Sequence, residues 1–174
     1  MSDLDNKHSD LLFGVRRSVR YHSRRLMFFD RWHKVTSGIN VVFGSAALMT
    51  ILARWPHEIT AFAALMVTLF STIDLIVGHA TAARRHQDLY RSFIELEKDI
   101  ISETLDVNQG TVRRLSLEAE EPPIKRILDT ICHNDLARSM GYDASEMWRV
   151  KWYQRWPAQF FDIGLDSIRR VGSH

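Results

Sequence analysis

The chain has 174 residues, 45% of them hydrophobic and 25% charged, with a formal net charge of +2. That length holds one domain and an accessory segment, and so small a net charge excludes the global electrostatic footprint of a nucleic-acid-binding protein. A single cysteine, Cys132, excludes an internal disulfide.

These averages conceal a segregation. Residues 35–83 carry very few charges and the flanks carry nearly all of them. Residues 1–10 are polar and are expected to fray. Residues 11–34, "LLFGVRRSVRYHSRRLMFFDRWHK", read as a helix rich in basic and aromatic side chains. Residues 35–53 then contain no ionisable group. As a helix this run is roughly 28 Å long, close to the hydrocarbon thickness of a bilayer. It begins too far along the chain for a secretory signal peptide. "RWPHE" (54–58) breaks it at Pro56. Residues 59–78 form a second run of similar length in which Asp74 is the only charge.

Two spans joined by so short a loop predict an antiparallel helical hairpin. Trp32 and Trp55 bracket the first span as interfacial anchors do. Arg16, Arg17, Arg20, Arg24, Arg25, Arg31 and Lys34 precede it, and Arg84, Arg85, Arg91 and Lys98 follow the second, whereas the loop holds only Arg54. The positive-inside rule then places both termini in the cytoplasm. The alternative is a soluble bundle with two wholly buried central helices, which a chain this short struggles to cover.

Beyond the spans the helix is expected to continue, with Leu89, Phe93, Leu96 and Ile100 on one face, until "DVNQG" (106–110) interrupts it. A short helix follows over 111–120 and stops at Pro122 and Pro123. Ile124, Ile127, Leu128 and Ile131 mark another amphipathic helix, closed near Gly141. "DASE" (143–146) reads as an N-cap with Glu at the third position, opening a last helix with Trp148, Trp152, Trp156 and Phe160 at four-residue steps. That aromatic stripe either packs in the core or, aided by Arg149, Lys151 and Arg155, lies on a membrane surface. The fold class is all-α: a helical arm with a two-span hairpin over residues 11–105, and a cytoplasmic helical region over 106–170.

Enzymatic motifs are lacking. There is no glycine-rich phosphate loop, CxxC pair, HExxH or recognisable nucleophile context, and nothing calls for a cofactor. His22, His33, His79 and His86 lie near the base of the hairpin, where four imidazoles could bind a metal but read as polar interfacial side chains, and no metal site is expected. Cys132 beside His133 reads as a buried thiol rather than a redox or metal residue. Ser37, Asn40, Gly44 and Ala47 in the first span, and Thr60, Ala64, Thr68 and Thr72 in the second, make small-residue stripes that let helices approach closely, within one hairpin or between subunits. Asn40 and Asp74 are placed at similar depth. Asp74 either snorkels, bonds a partner side chain, or faces a polar lumen.

The succession of "RRSVRYHSRRLMFFDRWHK", a span with "FGSAA", a very short loop, a span with "STIDLIVG" and then "AARRHQDLYRSFIELEKDI", followed by "EEPPIKRILDTICHNDLA", resembles the SLATT superfamily over roughly residues 14–140. The resemblance implies a two-transmembrane-helix effector of prokaryotic conflict systems: an oligomer in the inner membrane that forms pores or disrupts the bilayer in antiphage defence. It also implies a link to nucleotide signalling. No sensor of that type is recognisable in this chain, so either the cytoplasmic helices sense the signal or a separate nucleotide-signal or sensor protein does. Asn40, Gly44, Thr68, Thr72 and Asp74 are the candidates for packing or pore lining. Arg24, Arg25, Lys34, Arg84 and Arg85, with Trp32 and Trp55, are the candidates for the lipid face. Two rivals stand beside this reading: a non-conducting membrane anchor for a cytoplasmic partner, and a phage-encoded holin-like or exclusion protein.

Overall fold

A single helix, α1 (Asp3–Leu52), carries the chain from its polar start through the whole first apolar run. The computed structural model describes residues 3–53 and 56–171. Residues 3–10 are therefore helical rather than frayed. They contain neither proline nor glycine, and extending an existing helix costs far less than starting one. Pro56 precedes α2 (His57–Val77), where its missing N–H and fixed φ suit the boundary. Between α2 and α3 (His79–Ile101) the expected continuity fails at Gly78. This residue adopts the left-handed conformation (φ 62°) and donates its N–H to the Asp74 carbonyl at 2.8 Å, a conformation that glycine enters without steric cost.

The chain divides into two compact units. One is drawn from the chain up to Arg25 and from His86 onward, and the other spans Leu26–Arg85. The boundary expected at 105/106 falls inside the first.

In the first unit, α1 and α3 meet along a seam. Buried residues recur at 11, 15, 18 and 22 on α1 and at 86, 89, 93, 96 and 100 on α3. These steps of three and four are the spacing of knobs-into-holes packing. Leu11, Val15, Phe93, Leu96 and Ile100 form one apolar cluster, and the Arg16–Glu97 pair at 2.7 Å flanks it. "DVNQG" does not break a helix but starts one. The Asp106 carboxylate accepts from Gln109 N at 2.8 Å and Gln109 Oε1 accepts from Asp106 N at 3.2 Å, a capping box opening α4 (Val107–Glu120). Gly110 lets α4 approach closely, because a Cβ there would lie 2.8 Å from the Leu11 side chain. The Asp106→Ala chain is expected to lose about 1 kcal/mol, read as a lower thermal midpoint of the helical signal in detergent.

Helix α5 (Arg126–Ser139) buries Ile127, Leu128, Ile131, Cys132 and Leu136. The first three of these and Cys132 form a second cluster with Tyr21 and Ala158. Asp162 caps α5 by accepting from Arg126 N (3.1 Å) and Ile127 N (3.0 Å). The last helix expected from the tryptophan spacing is absent. Asp143 caps only a short turn over Ala144–Glu146. Trp148–Arg149 (β1) then pairs antiparallel with Arg169–Arg170 (β2), and a four-residue α6 (Trp152–Arg155) follows. The reason lies in α5: the Asn134 amide binds Trp148 through both its backbone groups, at 2.6 and 2.9 Å, and so holds that residue extended. The fold is mostly helical with this small ladder added.

Candidate functional site

The second unit turns its apolar side chains outward. Stretches within Leu4–Ile51 and His57–Ile101 are long and apolar enough to cross a membrane, and only 11% and 6% of their most apolar windows are buried. Val41, Val42, Leu48, Met49, Leu65 and Ile76 are among the exposed residues. The central helices of a soluble bundle would bury that surface.

Helices α1 and α2 touch at both ends of this unit in antiparallel sense. Thr60 Oγ1 donates to Thr50 Oγ1 at 2.7 Å near the loop, and Thr36 Oγ1 stands 3.4 Å from Asp74 Oδ1 at the other end. Phe43 and Phe62 meet edge to face between them. Asp74 is thus level with Thr36 rather than with Asn40, about one helical turn away. Equal residue counts from the loop do not give equal depth here, because the stagger of the two helices pairs Thr50 with Thr60 and Thr36 with Asp74.

Asp74 is the hub of a polar base. His79 Nδ1 lies 2.8 Å from its Oδ1 and His33 Nδ1 lies 3.7 Å from its Oδ2. Trp32 stacks on the His79 ring with centroids 6.2 Å apart. The αL turn at Gly78 brings His79 back toward the carboxylate of its own preceding turn. Asp74 therefore bonds partner side chains across the two helices.

The small-residue stripes are divided. Ala63, one position from the expected stripe, is the buried residue of α2, while Ala64, Thr68 and Thr72 are exposed. A Cβ on Gly44 would meet nothing within 4 Å. Asn40 Oδ1 is buried without a hydrogen-bond partner among the described residues.

The basic arm departs from its expected place. Arg24 pairs with Asp135, and Arg25 is buried with its Nη1 donating to the Gln159 carbonyl at 2.6 Å. Burial pulls the Arg25 pKa below its ordinary value. Both guanidiniums serve the fold of the first unit rather than a lipid face. Lys34 is exposed and paired to Asp30 at 2.6 Å, and Arg84 and Arg85 are exposed. Trp55 lies outside the described residues.

The four histidines are also divided. His33 and His79 attend Asp74 in the second unit. In the first, His22 is fully buried, with its Nδ1 2.9 Å from His86 Nδ1, its Nε2 3.1 Å from Glu121 Oε1, and its ring stacked on Phe93. Sequence reading missed this network, although 22 and 86 both fall on the seam. Nearby, Tyr21 OH accepts from Lys125 N at 2.9 Å, while burial raises the phenol's pKa. Cys132 is fully buried and its thiol is pushed up to about 12 by desolvation, which makes it unreactive at neutral pH.

No family model matches the chain, and no curated protein or solved structure is significantly similar to it.

Proposed function

We propose that α1 and α2 cross the bilayer as a hairpin, that several copies assemble through the outward small-residue face of α2, and that the assembly opens or disrupts the membrane. The observation that carries this is the nearly complete exposure of both apolar windows, which water penalises and lipid does not. Exposed Ala64, Thr68 and Thr72 favour contact with another helix over contact with lipid chains. With Arg84 and Arg85 beyond the second span, the charge bias supports a hairpin with both termini in the cytoplasm, and the inner membrane is the bilayer this reading assigns it. Antiphage defence, triggered through a separate nucleotide-signal or sensor protein, is the biological setting that the SLATT resemblance adds.

On this reading Asp74 fastens the cytoplasmic base of the hairpin. The Asp74→Ala chain is expected to insert normally and to leak more. Loss of a charged hydrogen bond of ~1.5 kcal/mol corresponds to a rise in basal flux on the order of ten-fold. Dye release from liposomes checks it, and unchanged leakage removes Asp74 from the mechanism. Ion-tight liposomes with the wild-type chain, at every protein density, would leave a membrane anchor in place of a pore.

A further inference from the structure

The segment that replaces the expected last helix is inside out. Gln154, a polar residue, is fully buried, and its Nε2 donates to the carbonyls of Ile163 (3.0 Å) and Gly164 (2.9 Å) and to Ser167 Oγ (3.0 Å). Its Oε1 accepts from Lys151 N at 2.9 Å. Ala158 is buried in the Tyr21–Ile127 cluster. The large aromatics point the other way, with Trp152 76% exposed, Trp156 86% and Phe161 65%. These rings are displayed on a turn whose own polar groups are satisfied, so their exposure is a built feature of the surface.

The charge along the segment that carries them has one sign, with Glu146 and Asp166 outside it. Between Met147 and Phe161 stand Arg149, Lys151 and Arg155, all exposed, and no acidic residue. The Lys151 ammonium lies 5.7 Å over the Tyr153 ring. The nearest following acid, Asp162, has its carboxylate turned to the start of α5. A second copy of this face would bring like charges together in a two-fold contact. Tryptophan and phenylalanine on a segment of bases are instead the complement of an anionic lipid surface: the rings suit the headgroup boundary and the cations suit its phosphates.

We propose that Trp152, Trp156 and Phe161 dock this unit on an anionic bilayer surface, with Lys151 and Arg155 on lipid phosphates. The inference takes from the hairpin reading only that a bilayer is at hand. Its test uses the full chain reconstituted in phosphatidylcholine vesicles, with and without phosphatidylglycerol, and lipids brominated high on the acyl chain. In W32F/W55F, tryptophan emission is expected to be roughly halved in anionic vesicles and little changed in neutral ones. Adding K151Q/R155Q weakens docking about 30-fold and removes the quenching. In W148F/W152F/W156F, the remaining Trp32 and Trp55 report the hairpin and are quenched whatever the lipid charge, and the same result is read from W152F/W156F above the background of half-buried Trp148. Unquenched W32F/W55F beside quenched W152F/W156F overturns the docking and leaves the hairpin intact; the reverse overturns the hairpin alone. Quenching of W32F/W55F that ignores lipid charge, or a blue shift without quenching, also overturns the proposal, the latter in favour of a protein partner.

Discussion

The Leu65→Arg chain is expected to be lost from the membrane pellet after an alkaline carbonate wash. Leu65 lies near the middle of α2 and is 59% exposed. In water, a substitution at so exposed a position changes stability by no more than about 0.5 kcal/mol. At the centre of a bilayer the same arginine costs roughly 2.5–3.5 kcal/mol, about a hundred-fold or more against insertion. Val112→Arg is the control, because Val112 is equally exposed but sits on α4 in the first unit. If Leu65→Arg and Val112→Arg chains are retained equally, the apolar face of α2 is not in lipid.

The Phe93→Ala chain is expected to open its first unit while its hairpin stays inserted. Phe93 is fully buried, packed with Leu11, Val15, Leu96 and Ile100 and stacked on His22 at 5.4 Å. Truncating such a ring costs about 3–5 kcal/mol. The single cysteine supplies the measurement. Cys132 belongs to the other apolar cluster of that unit and reacts only when the unit opens. Its alkylation rate is expected to rise at least about a hundred-fold. An unchanged rate would show that the two clusters open separately.

What sequence could reach follows from where the information lies. The two apolar runs and the Leu89–Phe93–Leu96–Ile100 face are local patterns, and periodicity reads them directly. The capping box at Asp106 is equally local but reads as a break, because Asp, Asn and Gly serve helix starts and turns alike. The tryptophan steps misled for a different reason. Their four-residue spacing fits a helix, yet Asn134, some way up the chain, holds Trp148 extended. The polar base showed the same limit. Asp74 stood out as the one charge in its span, while its partners Thr36 and His33 come from another helix and its stagger cannot be counted from a loop. Arg24 and Arg25 read as interfacial by their number, and only the packing of α5 and the C-terminal turn reveals their internal partners.

The contact between His22 and His86 ties two helices together through the choice of tautomer. Two Nδ1 atoms 2.9 Å apart share one hydrogen, so one ring gives and the other receives. With Glu121 accepting from His22 Nε2, a neutral His22 must receive from His86. The tautomer of the ring on α3 is thereby set by a carboxylate that packs against α1, and the seam is specified by a hydrogen as well as by its apolar side chains.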